Sequence, residues 1–169
     1  MIFGHLPAGY VISKLLSERL ENCLLFYKTF IFWGLFGAIA PDTDLLYSLL
    51  IDQAYHHNYV THFPIFWLSL LLISLLWLRL QKTWSKVPAL CFIFTLNALI
   101  HLILDTVTGH ILWLAPFSDK QFSLITESSE GGHYFTQWGF GLELFLMFWA
   151  LLVWLTSSIR KIKHKESIT

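Results

Sequence analysis

The segment GLFGAIAPDTDLLYSLL, residues 34–50, places two carboxylates, Asp42 and Asp44, inside an almost wholly apolar run. The apolar residues before them predict a helix over Cys23–Ala40, and Pro41 suits the first position of a new helix. Both carboxylates would then lie in the first turn of that helix, where they need not face lipid. They either only cap the helix or belong to a functional site.

The composition predicts a single domain that lies in a membrane. The chain has 169 residues, of which 56% are hydrophobic and 13% are charged, whereas a soluble domain carries about 25% charged residues. Its 11 basic and 11 acidic residues cancel, so no net charge points to nucleic acid as a partner. Cys23 and Cys91 form no CxxC pair, which argues against a disulfide framework or a thiolate zinc site.

The apolar runs predict an all-α fold, a polytopic membrane helical bundle with four or five transmembrane helices of roughly 20 residues each. The four clear helices are Cys23–Ala40, Pro64–Leu80, Pro88–Thr106 and Gln137–Leu155. A weaker segment, Phe3–Ser17, either spans the membrane, re-enters it or lies at the interface. We assign residues 1–158 to the membrane-embedded domain and residues 159–169 to a basic cytoplasmic tail.

The basic residues predict the orientation of these helices. They collect in three regions, namely Lys14, Arg19 and Lys28; Arg79, Lys82 and Lys86; and Arg160, Lys161, Lys163 and Lys165. Such regions face the cytoplasm by the positive-inside rule. The loops Asp52–Phe63 and Val107–Thr136 contain one basic residue, Lys120, and should face the periplasm. We therefore expect an inner-membrane protein with a cytoplasmic C-terminus.

Histidines and aspartates collect at the opposite, outward face. The set comprises Asp42, Asp44, His56, His57, His62, His101, Asp105, His110 and His133, with His5 added if the first segment spans. His101 and Asp105 are four residues apart on one helix face, so they can present a nitrogen and an oxygen to one metal ion. The spacing of His57 and His62 suits a turn leading into the helix at Pro64. This convergence predicts a shared metal site.

Each of these residues also has a simpler explanation when it is taken alone. A histidine in an aromatic-rich loop is often just a hydrogen-bonded polar residue, and Asp105 could bond Thr108 near a helix end. Glu143, inside an apolar run, would be protonated, paired or close to the interface. Imidazole and carboxylate ligands without thiolate suit Zn²⁺, Mn²⁺ or Fe. The number of candidates exceeds what one tetrahedral ion takes, so we expect two or more ions.

Five short motifs, in this order and spacing, carry a family resemblance. They are GHLPAG (4–9), PDTD (41–44), HNYVTH (57–62), HLILDTVTG (101–109) and LAPFS (114–118). Together they resemble the YdjM family, LexA-binding and inner-membrane-associated proteins regarded as metal-dependent hydrolases. The chain departs from the family pattern at Leu45, where a histidine is common, and at Asn58–Tyr59, where the family has Arg-Gly.

The resemblance implies a set of metal ligands and a type of reaction. The implied ligands are His5, Asp42, Asp44, His57, His62, His101 and Asp105, with catalytic roles for Asp42, Asp44 and His101; His56 would be a bystander. Which aspartate is a ligand and which a general base stays open. The motifs are also distantly similar to those of zinc-dependent phospholipase C, an all-helical enzyme that holds zinc ions with His and Asp.

We therefore expect a membrane-embedded hydrolase that uses metal-activated water to cleave a phosphoester bond of a phospholipid or lipid-linked phosphate at the periplasmic face. Aromatic residues in the outward loops suit an interface where acyl chains meet headgroups. One alternative is a transporter for a divalent metal or a proton-coupled solute, since intramembrane His and Asp also mark ion pathways. Another is a non-catalytic scaffold or regulator that binds a partner through the tail RKIKHKES (160–167).

Overall fold

The computed structural model is a bundle of α-helices and describes residues 3–19, 26–52, 59–81, 85–124 and 137–166. Its helices are α1 (His5–Ser17), α2 (Tyr27–Ile39), α3 (Thr43–Tyr47), α4 (Pro64–Leu80), α5 (Lys86–Thr108) and α6 (Gln137–Glu166). A π-type turn over Ser48–Asp52 follows α3, and a 3₁₀ turn over Val60–His62 precedes α4. The predicted all-α fold is confirmed for the described residues, where Ile111 and Phe122 form only an isolated strand-like pair.

Fewer helices qualify as membrane spans than the sequence led us to expect. Two are by themselves long and apolar enough, over Lys86–Val107 in α5 and Gly139–Ile159 in α6. A third candidate is α2 together with Thr43–Ile51, a pair bent by 48°. Among the described helices, α4 has 17 residues and α1 has 13, so both are shorter than the roughly 20 residues expected of a membrane span. Two or three candidate spans therefore stand where four or five were predicted.

α5 and α6 extend beyond their predicted bounds, whereas α4 begins and ends at the predicted residues. α5 begins at Lys86 rather than Pro88 because the Ser85 hydroxyl accepts a hydrogen bond from the Val87 N–H at 3.4 Å, and proline is tolerated in a first helical turn. α6 continues to Glu166, through most of the segment predicted as a tail. Lysine, arginine and glutamate are good helix formers, and no glycine or proline interrupts that segment.

The chain breaks at Pro41, as predicted, and a new helix begins at Thr43. Proline has no N–H, so Pro41 cannot make the helical bond to the carbonyl of Gly37. Tighter bonds carry the chain through the break, from Asp42 N–H to Ile39 O at 3.2 Å and from Thr43 N–H to Ala40 O at 3.2 Å. The break therefore puts Asp42 between the helices and Asp44 in the first turn of α3.

α5 is the central helix and packs against α1, α2 and α4. Its residues Ile93 and Leu102 are fully buried in two apolar clusters. One cluster is Phe30, Ala89 and Ile93, and the other is Ala40, Trp67, Ala98 and Leu102. α6 packs on α1 and exposes a row of large apolar side chains that includes Phe145, Phe148 and Trp154. Such a surface suits lipid contact rather than water.

Glycines let α2 approach its neighbours closely. A Cβ on Gly37 would lie 2.2 Å from the backbone oxygen of Phe94 in α5, and one on Gly34 would lie 1.9 Å from the Ser13 hydroxyl oxygen in α1. At this junction Asn97 of α5 donates a hydrogen bond from Nδ2 to Ser13 Oγ at 3.1 Å. Small residues and an interhelical hydrogen bond are the usual means of helix association in membranes.

We predict that Gly37→Ala destabilises the bundle, because the added methyl group meets backbone that cannot move without separating α2 from α5. Overpacking of this kind costs about 1–3 kcal/mol. The measurement is the thermal unfolding midpoint of the purified protein in detergent, followed by circular dichroism. Gly141→Ala is the matched control, since a Cβ there meets nothing within 4 Å. Equal midpoints for the two variants would contradict the proposed close packing.

Candidate metal centre

The fold brings histidines and aspartates from four segments to one end of the bundle. His5 begins α1, Asp42 lies in the break after α2, and His62 ends the turn before α4. His101 and Asp105 lie one turn apart near the C-terminal end of α5. Residues that are up to 100 positions apart in the chain therefore meet at one place, at the ends of antiparallel neighbours.

Four of these residues, Asp42, His62, His101 and Asp105, form a group that could hold a metal ion. Each offers one ligand atom, and these atoms lie within 4.8 Å of one another. Nε2 of His101 is 3.0 Å from Asp105 Oδ2 and 3.4 Å from Asp42 Oδ1. Nε2 of His62 faces the same two oxygens at 3.9 Å and 3.7 Å. Both imidazoles thus direct the same nitrogen toward the same pair of carboxylates.

A backbone carbonyl sets the orientation of His101. Its Nδ1 lies 2.7 Å from the carbonyl oxygen of Ala38, the last but one residue of α2. A carbonyl only accepts hydrogen bonds, so Nδ1 carries the proton and donates. In the neutral ring Nε2 then has a lone pair, and it points at the carboxylates of Asp42 and Asp105. Lone pairs that face one another in this way repel unless a proton or a cation lies between them.

A carboxylate plays the corresponding role for His62. Nδ1 of His62 lies 2.7 Å from Asp44 Oδ2, and the Thr61 hydroxyl donates to the same oxygen. The indole N–H of Trp67 donates to the Thr61 carbonyl at 2.6 Å, which fixes the turn to the first part of α4. Asp44 therefore contacts the histidine nitrogen that faces away from the group. This is the arrangement of a carboxylate that orients a metal-binding histidine.

Asp42 and Asp44, so close in the chain, thus have different surroundings. Asp42 is the N-cap residue of α3, yet its side chain makes no capping hydrogen bond, so the interpretation of Asp42 as only a cap is wrong. Its side chain is 33% exposed, whereas the side chains of His62, His101 and Asp105 are at most 2% exposed. Asp42 is therefore the member of the group nearest to the opening of the site.

His5 contacts the group from its other side. Its Nε2 lies 3.1 Å from Asp105 Oδ1, the oxygen that does not face the other histidines. Its ring stacks on that of His101, with centroids 3.8 Å apart and an angle of 18° between the planes. Asp105 thus links the imidazole of His5 to those of His62 and His101. A carboxylate with a histidine on each oxygen is suited to bridge two cations.

The other predicted residues fall elsewhere. His57, together with His56 and His133, lies outside the described residues. His110 is exposed and is not a member of the group. Glu143 is buried in α6 and accepts a hydrogen bond at 3.2 Å from the backbone N–H of Phe3. Glu143 thereby connects α6 to the start of α1, which carries His5.

The donor set fits a metal ion such as Zn²⁺. Two imidazole nitrogens and two carboxylate oxygens are ligand types that zinc accepts, commonly in a set of four. Each histidine has an acceptor at Nδ1, which leaves Nε2 as the atom that can bind the metal. Two carboxylates close together in an apolar bundle also require positive charge nearby. The group therefore matches a cation site in its atoms, its tautomers and its charge.

These features define a class, the all-helical membrane proteins that carry a buried His/Asp group able to bind metal at one end of the bundle. The model of one family, described as YdjM inner membrane protein, matches residues 1–165. The chain belongs to this family, which confirms the resemblance found in the motifs. Neither the curated proteins nor the solved structures contained a match to the chain.

Two contributors to the site were not foreseen in the sequence. The carbonyl of Ala38 is a backbone atom, so no residue type announces it. The indole of Trp67 is one of eight tryptophans in the chain, and its bond to the turn depends on how α4 begins. Thr61 contacts Asp44 and so helps to order the site, whereas Asn97 bonds to Ser13 and to the carbonyl of Ile93.

We predict that Asp44→Asn weakens Zn²⁺ binding by roughly 10–100-fold without abolishing it. The new amide can donate to Nδ1 of His62 and so leave the ring proton on Nε2, where it blocks coordination. His101→Ala should lose binding more completely, because it removes a ligand atom. Isothermal titration of the metal-depleted protein measures both. His110→Ala is the control and should bind as the wild type does. Equal loss in Asp44→Asn and His101→Ala would make Asp44 a direct ligand.

Proposed function

We propose that the protein is a membrane-embedded, metal-dependent hydrolase that cleaves a phosphoester bond of a phospholipid or lipid-linked phosphate. One observation carries this proposal, namely the group of Asp42, His62, His101 and Asp105 at the end of an apolar bundle, with both histidines oriented through Nδ1. A site of this kind, at the end of helices that expose large apolar side chains, is placed to receive the headgroup of a membrane lipid. The family membership supports the membrane setting.

The residues that would hold Zn²⁺ are the four members of the group, and His5 would complete a second position through Asp105 Oδ1. Bound zinc supplies a nucleophilic water at neutral pH and polarises the phosphoryl oxygen. The protein contributes the fixed directions of the imidazoles, through Ala38 and Asp44. It also keeps the site largely away from water, since His62, His101 and Asp105 are almost fully buried.

Asp42 is the residue that we assign to proton transfer. It is the most exposed member of the group, so a substrate that enters from the surface reaches this carboxylate first. A carboxylate at the opening can accept a proton from the attacking water and release it to solvent. Asp44 is less suited to this role, because its side chain is only 5% exposed and its Oδ2 contacts Nδ1 of His62 and the Thr61 hydroxyl. We assign Asp44 to the positioning of His62.

We also propose that α4 crosses the membrane in addition to α2–α3, α5 and α6, with the His/Asp end facing the periplasm and the C-terminus in the cytoplasm. α4 has 17 residues, the lower limit of the usual range of about 17–25. It packs along α5 after a short connection, as antiparallel neighbours do. The basic residues near Lys86 and in the last helix support this orientation.

Single cysteines in a variant that lacks Cys23 and Cys91 test this topology. We predict that Lys120→Cys reacts with a membrane-impermeant maleimide in intact cells, because it would lie on the periplasmic side. Lys86→Cys, which forms the matched pair with Lys120→Cys on either side of α5, should react only after the cells are opened. Val60→Cys should behave as Lys120→Cys does if α4 crosses. Reversed labelling of the α5 pair would overturn the orientation, and labelling of Val60→Cys like that of Lys86→Cys would remove α4 as a span.

Transport of a divalent cation is less well supported by the buried polar residues. A transporter needs polar groups through both halves of the membrane. Away from the His/Asp group, the buried hydroxyls of Ser13, Ser74 and Thr95 donate to backbone carbonyls of their own helices. Ser74 Oγ and Thr95 Oγ1 also lie 3.1 Å apart, so one of the two hydroxyls can donate to the other in place of its backbone carbonyl. These groups join the helices and satisfy one another, which favours a site at one end over a pathway.

We predict that His101→Ala and Asp42→Ala reduce headgroup release from bacterial phospholipids to background, while both variants still insert into the membrane. The first removes a ligand and the second removes both a ligand and the proton acceptor. Phosphate or headgroup release from mixed micelles by the purified proteins is the measurement. His110→Ala should keep full activity, and a chelator should stop the wild type until Zn²⁺ is restored. Full activity in either site variant would reject this site.

A further inference from the structure

An apolar groove lies beside the candidate metal centre, along the first turns of α4. It has a volume of about 370 Å³ and is lined by Val60 and Phe63 of the preceding turn, Ile65, Phe66, Ser69 and Leu70 of α4, and Pro116 of the loop after α5. This volume is near the lower end of the range of about 300–1,000 Å³ found for small-molecule sites. The groove is therefore large enough for one extended ligand segment.

The lining of the groove offers hydrocarbon contacts and almost no polar group. Among the lining residues that the structure describes, Ser69 alone has a polar side chain, and its hydroxyl donates to the Ile65 carbonyl at 2.7 Å. Val60 is 56% exposed and Phe66 is 39% exposed, so the groove opens at the surface of the bundle. In a membrane protein, an apolar opening on a helix such as α4 meets acyl chains.

The position of the groove connects it to the centre. Val60 and Phe63 flank Thr61 and His62, so one short turn forms the end of the groove and also supplies a member of the metal group. His62 is fully buried and faces the carboxylates, while its neighbours face the groove. A chain that lies in the groove would therefore contact the turn that carries His62.

We propose that this groove holds one acyl chain of the lipid substrate and thereby sets the position of its phosphoester at the centre. The inference rests on the proposed function and narrows the substrate to lipids with a long acyl chain. The volume suits a single chain rather than a whole two-chain lipid. Because the described wall has Ser69 as its one polar side chain, the groove selects by chain length and leaves headgroup recognition to the centre.

Photolabelling tests the groove without relying on activity. The full-length protein is placed in nanodiscs of phosphatidylethanolamine and phosphatidylglycerol that contain a trace of phosphatidylethanolamine with a diazirine in mid-chain. After illumination, mass spectrometry locates the label. We expect excess label on Phe66, Leu70 or Pro116 over Leu68 and Leu72, which are exposed on α4 outside the groove. Label spread evenly over these residues would mean ordinary membrane lipid and would overturn the proposal.

Two variants on α4 sharpen the test. Ser69→Trp fills the groove and should remove the excess label, whereas Leu68→Trp, the matched control on another exposed face, should leave it. For hydrolysis, Ser69→Trp should raise KM for a long-chain phospholipid roughly tenfold, since loss of contact with about two methylene groups is enough for that. Leu68→Trp should leave the dependence of KM on acyl-chain length unchanged. An unchanged chain-length profile in Ser69→Trp would also overturn the proposal.

The two proposals fail in different ways. If the wild type releases no headgroup from any lipid, the proposed hydrolase is rejected, and the label pattern still decides whether an acyl chain occupies the groove. If the wild type hydrolyses lipid, but neither the label pattern nor the dependence of KM on chain length changes in Ser69→Trp, only the acyl-chain groove is rejected. Unchanged Zn²⁺ binding by Ser69→Trp serves as evidence that this variant is folded.

Discussion

A carboxylate inside an apolar bundle needs a partner, and this requirement organises the end of the molecule where the candidate centre lies. A charged aspartate in the middle of a membrane helix costs about 2.5–3.5 kcal/mol on insertion scales. Asp44 faces the Nδ1–H of His62, whereas Asp42 and Asp105 face Nε2 of His101, where a proton or a cation has to lie between the imidazole and the carboxylates. The packing of α1, α2, α4 and α5 places these aspartates and histidines next to one another, so the site and the bundle depend on the same contacts.

α5 and α2 contribute different features of the site. α5 is unbroken, so its His101 and Asp105 keep a fixed spacing, while α2 ends at a break that bends the chain by 48°, with Asp42 at the bend. Glycines bring the two helices close enough for a backbone carbonyl of α2 to reach a histidine of α5. The continuous helix α5 thus fixes the spacing of His101 and Asp105, and the break after α2 supplies Asp42 at the opening of the site.

The sequence predicted those features that depend on local chemistry. Pro41 predicted the break, and the four-residue spacing of His101 and Asp105 predicted their common face. The segregation of Lys and Arg from His and Asp predicted a polar end. The sequence could not distinguish the roles of Asp42 and Asp44, because these depend on where the turn before α4 folds in space. It predicted four or five spans, of which two or three are long and apolar enough among the described helices, since apolar composition does not reveal where each helix ends.

The hydrogen bond between His101 and the carbonyl of Ala38 has a consequence for how the family can vary. Every residue type has the same carbonyl, so a change of side chain at position 38 leaves the acceptor in place as long as the new residue fits the buried space. Evolution can therefore alter this position without touching the chemistry of the histidine, whereas a shift of the α2 backbone by one residue would remove the acceptor altogether. Conservation of the site thus depends partly on the register of the α2 backbone, which a comparison of residue identities alone would overlook.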